Sequence, residues 1–418
     1  MKKKLFPFLL MLVLCAPAVA AGQQSCMTEE IARRNLDRFP ELARRSAALH
    51  QAIAGLATKD EGPGLREVLR IPVVVHVVYN GSLENISDAQ IQSQIDVLNN
   101  DYRLLNANAS SIPAAFQPFA ADVGLEFCLA GIDPQGQPTN GITRTATTWL
   151  NIGQIQAPDG SPRICYTALG GHDAWAPDQY LNIWVAGIGG GILGFGTLPG
   201  TAPPEEEGVV IDPRYFGTTG LAALFPPHHL GRTATHEIGH YLGLFHIWGG
   251  NENVCNDDDE VDDTPVQRGP YFGCPAYPQY SCGNSVMFMN YMDYTDDACM
   301  SFFTLGQKAR MWATLNVVHP GLLGSLACVS SAVQEPLPAS GFIMNPNPAG
   351  STVQLQTSFG APEKAWAALP DGRSVPLDLL PQGDNQLTLS LSGLGSGIFM
   401  IFLQDENGTI YRGKLVRL

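Results

Sequence analysis

The stretch from His236 to His246 (His-Glu-Ile-Gly-His-Tyr-Leu-Gly-Leu-Phe-His) constrains what this chain can fold into more than any other. On a helix, His236 and His240 are four residues apart and project from one face, one turn above the other. Glu237 sits beside them but points elsewhere, so it can reach a water held by a metal rather than the metal itself. Gly243 permits a left-handed turn that ends the helix and returns His246 as a third nitrogen ligand. Three protein ligands leave the fourth position of a tetrahedral zinc ion open, as catalytic rather than structural sites do. The plainer alternative, a buried amphipathic helix that happens to carry histidines, does not account for five positions matched at fixed spacing.

Glu237 is then the candidate general base, since zinc lowers the pKa of a bound water towards about 7 and polarises a carbonyl. That chemistry suits hydrolysis of a protein or peptide substrate. The chain has 418 residues, 45% of them apolar, enough for two or three domains with a sizeable core. Its 24 Lys and Arg against 39 Asp and Glu give a formal charge of −15, which argues against nucleic acid as a partner and would attract cationic substrates.

Residues 1–21 read as a signal peptide: Lys2, Lys3 and Lys4, an apolar run from Leu5 to Cys15, and Ala18-Val19-Ala20 as the cleavage site. Leu14 is too large for a lipoprotein signal at Cys15. No later run is long and apolar enough to anchor the mature chain across a membrane. Export permits disulfides, and the cluster from Cys255 to Cys299 reads as two bridges pinning a loop-rich segment.

Residues 22–66 are polar and helix-prone and end in the cleavable stretch Lys59–Gly64, which reads as a pro-segment; a solvated helical spacer is the alternative. From Ile71 to Tyr79 the pattern is that of a strand buried on both faces. Ser87 and Gln90 have capping-box spacing ahead of Ile91, Ile95, Leu98 and Tyr102 on one helical face. Leu125–Ala130 and Tyr180–Val185 read as further strands, and the glycine-rich Gly187–Gly200 as an extended rim before the zinc helix. Residues 67–328 thus form an α+β catalytic domain. A linker spans 329–341, and 342–418 form a small all-β sandwich with turns at Asn345–Pro348, Asp371-Gly372 and Asn407-Gly408.

The histidine motif with Asn290-Tyr-Met-Asp-Tyr294 resembles the metzincin zinc endopeptidases, whose domain combines a twisted mixed sheet with an active-site helix. Gly231-Arg232-Thr233, Asp263-Thr264-Pro265, Asn290–Met300, Gly141–Arg144 and Leu181–Trp184 resemble the pappalysin family and its ulilysin-like branch, over roughly residues 70–320. The resemblance implies that Met292 forms a hydrophobic base beneath the zinc and that Tyr294 hydrogen-bonds the tetrahedral intermediate. It implies that Cys26 holds zinc in a latent form, although Met27 stands where the family usually has glycine. It further implies a calcium ion on Asp259, Asp262 (through its carbonyl) and Thr264, and bridges Cys255–Cys282 and Cys274–Cys299. Cys128 and Cys165 are candidates for a third bridge. Asp296 and Asp297 follow the methionine turn, where a carboxylate would face Arg or Lys after the scissile bond, residues that ulilysin-like relatives favour.

At the other end, Asn345–Pro348, Asp371-Gly-Arg373, Leu394–Phe399 and Lys414–Val416 resemble the sorting domain of the type IX secretion system. That resemblance implies the secretion machinery as a partner and a location outside, or on the surface of, a Gram-negative bacterium. Two readings from other classes are an adhesive or carbohydrate-binding sandwich at the C-terminus, and a binding protein that keeps the zinc scaffold without hydrolysis.

Overall fold

The computed structural model describes residues 26–57, 68–325 and 327–328, and from the C-terminal part 342–345, 349–357, 361–368, 374–381, 387–395, 397–405 and 410–417. The expected signal peptide, the Lys59–Gly64 stretch, the linker 329–341 and the turns at 346–348, 371–373 and 407–408 lie outside the described residues. The chain divides into two compact units, one of Met1–Leu129 with Ile142–Leu323, the other of Ala130–Gly141 with Gly324–Leu418. Among the described residues, no helix is long and apolar enough to cross a membrane.

The first unit begins with two helices, α1 (Thr28–Arg38) and α2 (Pro40–Ala57), and continues into β1 (Leu69–Tyr79), α3 (Asp88–Tyr102), β2 (Leu125–Leu129) and β3 (Ile142–Ala146). β4 (Leu181–Val185), β5 (Gly194–Gly196), β6 (Val209–Ile211), α4 (Arg232–Tyr241) and α5 (Leu305–Val317) follow. Strand β1 is central because Val73, Val74, Val75, Val77 and Val78 are all fully buried, which only a strand covered on both faces tolerates. It pairs in parallel with β2 and then β3 on one side and with β4 on the other. The sheet continues through parallel β6 to β5, the one antiparallel strand, at its edge.

Helix α3 starts where Ser87 accepts a hydrogen bond from the Gln90 amide, and Ile91, Ile95, Leu98 and Tyr102 enter the core. Its C-terminal turn fixes the histidine-bearing helix α4. Tyr102 donates to the Thr235 carbonyl at 3.1 Å, Asp101 accepts from Thr235 Oγ1 at 2.8 Å, and Asp101 pairs with Arg232 at 2.8 Å. The second unit folds as two four-stranded antiparallel sheets. One holds Phe342–Asn345, Thr352–Thr357, Leu379–Pro381 and Leu387–Ser390; the other Lys364–Ala368, Ser374–Pro376, Gly397–Gln404 and Ile410–Arg417. Val353, Leu355 and Leu389 from one sheet and Ala367, Ile401, Leu403 and Leu415 from the other share a single core. On the second sheet the half-buried rings of Trp366 and Phe402 stack 5.5 Å apart.

Candidate active site

All ten residues of α4 are buried. The helix stops at Gly243, whose φ of +87° is a left-handed conformation that a side chain resists. A Cβ at this position would also stand 2.3 Å from Thr314 Oγ1 on α5, so space and backbone both demand glycine. Arg310 of α5 donates to the Gly243 carbonyl at 2.7 Å and holds the turn in place. Beyond the turn His246 comes back to face the helix.

His240 Nε2 lies 3.1 Å from His236 Nε2 and 3.2 Å from His246 Nε2. His236 Nδ1 sits 2.7 Å from the Tyr291 carbonyl and His240 Nδ1 2.8 Å from the Leu244 carbonyl. A carbonyl only accepts, so both Nδ1 atoms carry the proton and both Nε2 atoms present bare lone pairs to each other. Burial and the neighbouring His246 push His236 down to about 3, and His240 well below the ordinary histidine range, so both rings stay neutral. Facing lone pairs at this separation repel unless a cation lies among them. Zinc at about 2.0–2.1 Å from tetrahedrally placed nitrogens would set them about 3.3 Å apart, so the residues fit the ion. The three Nε2 atoms and Cys26 Sγ all lie within 4.8 Å of one another, the one group of its kind among the described residues.

Cys26 arrives along the edge strand. It bridges Gly194 of β5 in parallel, the Met27 amide donates to the Gly194 carbonyl, and the Gly196 amide donates to Thr28 Oγ1 at 2.9 Å. Glycine at 194 and 196 is a packing requirement: a Cβ on Gly196 would meet the Glu237 carbonyl at 2.4 Å. Met27 buries its side chain against Val78, Ile152, Trp184 and Phe195.

Glu237 Oε2 accepts from Cys26 Sγ at 3.2 Å and from Thr28 Oγ1 at 3.1 Å. Burial raises its carboxyl to about 8, and burial with the charges of Glu237 and Glu29 raises the Cys26 thiol well above its ordinary value. Glu29 Oε1 takes the remaining nitrogen of His246, Nδ1, at 2.6 Å. Burial pushes Glu29 up, but the charge and hydrogen bond of His246 outweigh this and hold it down at about 2. Thr28 and Glu29 are functional neighbours that the sequence reading did not single out; their only signal was position, directly after Cys26.

Met292 is fully buried under the helix, and its Sδ stands 2.6 Å from where a Cβ of Gly239 would be. The turn that carries it is held by Asn290, which accepts from the Met292 amide and exchanges side-chain hydrogen bonds with Gln307. Tyr294 OH lies 3.0 Å from His246 Nε2. Asp293, also missed in the sequence, accepts from the Tyr271 amide and from Gln267, and burial lifts it to about 7.

Asp297 is buried and lines the cleft with His228, Arg232, Thr233, Tyr294 and Met300, taking hydrogen bonds from the Leu230 and Arg232 amides. Asp296 is half-buried and does not line it. In the acidic stretch, Asp259 is buried: Oδ1 accepts from Thr264 Oγ1 at 2.6 Å, while Oδ2 is buried without a hydrogen-bond partner. Asp262 is exposed. Cys255 is bonded to Cys282 and Cys274 to Cys299. The expected Cys128–Cys165 bridge is corrected: Cys165 is a buried free thiol, packed with Ile164 and Trp184, whereas Cys128 and Cys328 are both oxidised.

A family model described as Peptidase_M43: Pregnancy-associated plasma protein-A matches residues 170–316, which contain the histidines and the methionine turn. Extracellular metalloprotease 1 of Coccidioides posadasii (strain C735) is 31% identical over 304 residues, covering 70% of this chain and 93% of the relative. Two solved structures from Tannerella forsythia are similar. Mature mirolysin in complex with a cleaved peptide is 44% identical, covering 62% of this chain and 98% of its own, with a TM-score of 0.57. A promirolysin mutant is 39% identical, covering 74% and 99%, with a TM-score of 0.60. With its zinc-fitting histidines on and just beyond α4 and its mostly parallel sheet, the chain belongs to the Peptidase_M43, or pappalysin, family of metalloendopeptidases.

Proposed function

We propose that the chain is made as a latent, exported zinc endopeptidase in which His236, His240 and His246 hold the ion and Glu237 moves the protons. Bound there, zinc would supply Lewis acidity towards water and towards the scissile carbonyl. Glu237, on α4 beside His236 and directed away from the imidazole cluster's ring nitrogens, takes a proton from the attacking water and delivers it to the leaving amine. Tyr294 turns from His246 and donates its hydroxyl hydrogen to the substrate oxygen as charge develops there. Met292 fills the space under the ligands and keeps their geometry.

The observation that carries this reading is Cys26 Sγ, brought from the amino-terminal segment to within reach of all three imidazole nitrogens and of Glu237. A thiolate on the fourth position would exclude water and substrate together. Latency agrees with the similarity to promirolysin, and export with the extracellular relatives. Asp297, buried in the cleft wall, supports a preference for Arg or Lys after the scissile bond. The unpartnered Oδ2 of Asp259 supports a calcium ion there with Thr264 and the Asp262 carbonyl. The resemblance of Leu394–Phe399 and Lys414–Val416 supports sorting by the type IX machinery of a Gram-negative cell; without residues 342–418 the protein should then stay in the periplasm.

Glu237→Ala tests the central claim. The matured variant should lose hydrolysis of casein by about a hundredfold or more while retaining zinc. Undiminished cleavage in that variant would sink the mechanism, and an inactive parent enzyme would leave the binding-protein reading instead.

A further inference from the structure

We infer that Glu206 is a cation-binding subsite of the matured enzyme, filled in the precursor by Arg38 and afterwards by a guanidinium or ammonium group of the peptide substrate. The inference rests on the reading of the amino-terminal segment as one that leaves. In the precursor Arg38 Nη1 donates to Glu206 Oε2 at 2.9 Å and Nη2 to Oε1 at 2.6 Å, a two-pronged contact. Tyr166 OH donates to the same Oε1 at 2.6 Å, and Ser161 Oγ accepts from Arg38 Nη2 at 3.2 Å. The Glu206 side chain is only 1% exposed.

Departure of α1 would strip this buried carboxylate of its counter-ion, a costly state that a new cation relieves. The tyrosine hydroxyl and the serine oxygen belong to the enzyme and stay behind, so a socket shaped for a planar fork remains. The socket also lies at the end of the rim strand. Thr197, next after β5, accepts from the Gly208 amide at 3.0 Å, and Gly208 is two residues from Glu206. From Thr28, against β5, to Arg38 the helix spans eleven residues, a rise of about 15 Å. An extended peptide covers that distance in about four or five residues. Glu206 would therefore read a basic side chain at that remove from the bond cleaved, separate from any group seated at Asp297.

The test uses matured, zinc-loaded enzyme obtained by cleaving the full chain after its amino-terminal segment with an added protease that is then removed. Two peptide series share the same residues around the cleaved bond and differ by Arg or Ala at the fourth and fifth positions on either side. The parent should favour Arg on one side by about tenfold or more in kcat/KM, as a two-pronged charged contact gives. Glu206→Gln should bring that ratio to about one. A parent ratio of one overturns the subsite, as does a preference that survives in Glu206→Gln; the parent decides alone if the variant does not fold. No cleavage of any peptide would overturn the endopeptidase reading itself, and the subsite with it.

Discussion

Glu29 Oε1 lies 2.6 Å from His246 Nδ1, so the third imidazole of the cluster takes its outer partner from a side chain of the amino-terminal helix α1 rather than from a main-chain carbonyl. His236 and His240 use the Tyr291 and Leu244 carbonyls instead. Loss of such an outer partner typically costs ten- to a hundredfold in metal affinity. Precursor carrying Glu29→Ala should lose zinc to a competing chelator by about that factor, and Cys26→Ala should shorten latency at least about tenfold. Equal zinc retention in the first, or unchanged latency in the second, would refute the assigned roles.

Gly243→Ala should be destabilising by about 2 kcal/mol or more, because the new side chain meets both an unfavourable φ and Thr314 Oγ1. The variant should melt lower and bind less zinc, since the same turn aims His246. Thr314→Ala in that background should restore only part of the loss. Full zinc occupancy at the parent melting temperature would show that the turn is not needed.

Asp259 separates a calcium site from a buried carboxylic acid. Burial lifts it to about 8, and its Oδ2 is left without a hydrogen-bond partner. If a calcium ion sits there, a calcium chelator should lower the melting temperature of the parent by several degrees, corresponding to about 2.7 kcal/mol at a hundredfold excess over Kd. Asp259→Asn should be indifferent to the chelator. A parent equally indifferent removes calcium from the account.

Glu207 should make the fold less stable as pH rises through neutrality. Burial pushes its carboxyl from 4.5 up to about 7, against the opposing charge of Arg45, with His319 Nδ1 at 3.2 Å. His319 is held down to about 4 by burial and is neutral over this range. The folded state therefore keeps a proton that the unfolded chain releases. The resulting stability is complete below about pH 4.5 and is lost as pH rises through about 7, with an upper limit of about 3 kcal/mol. Glu207→Gln should make melting temperature fall less steeply with pH in that window, the remaining slope coming from Asp293 and Asp259; parallel curves for variant and parent would count against the assignment.

Spacing made the centre of the site legible, because α4 fixes His236, Glu237 and His240 by its own period and the Gly243 turn returns His246 shortly after it. Strand β1 and helix α3 were legible for the same reason, through burial on both faces of one and on one face of the other. What escaped were contacts made across the chain. Thr28 meets Glu237 over a separation of 209 residues, and Arg38 meets Glu206 over 168. No periodicity encodes such pairs. Cys165 was misjudged because a buried thiol packs as a small apolar side chain, and composition cannot distinguish that from a half-cystine.

The rim strand β5 is packed so closely against β6 at position 194 and against α4 at position 196 that neither has room for a side chain. An incoming chain at that rim can be gripped there only by its amides and carbonyls, which every amino acid shares. Mutation at the centre of the cleft would thus have little scope to retune which sequences are cut. Any drift in preference among descendants of this enzyme would then fall to side chains off the rim strand, where a substitution can change selectivity without disturbing the hydrolytic centre.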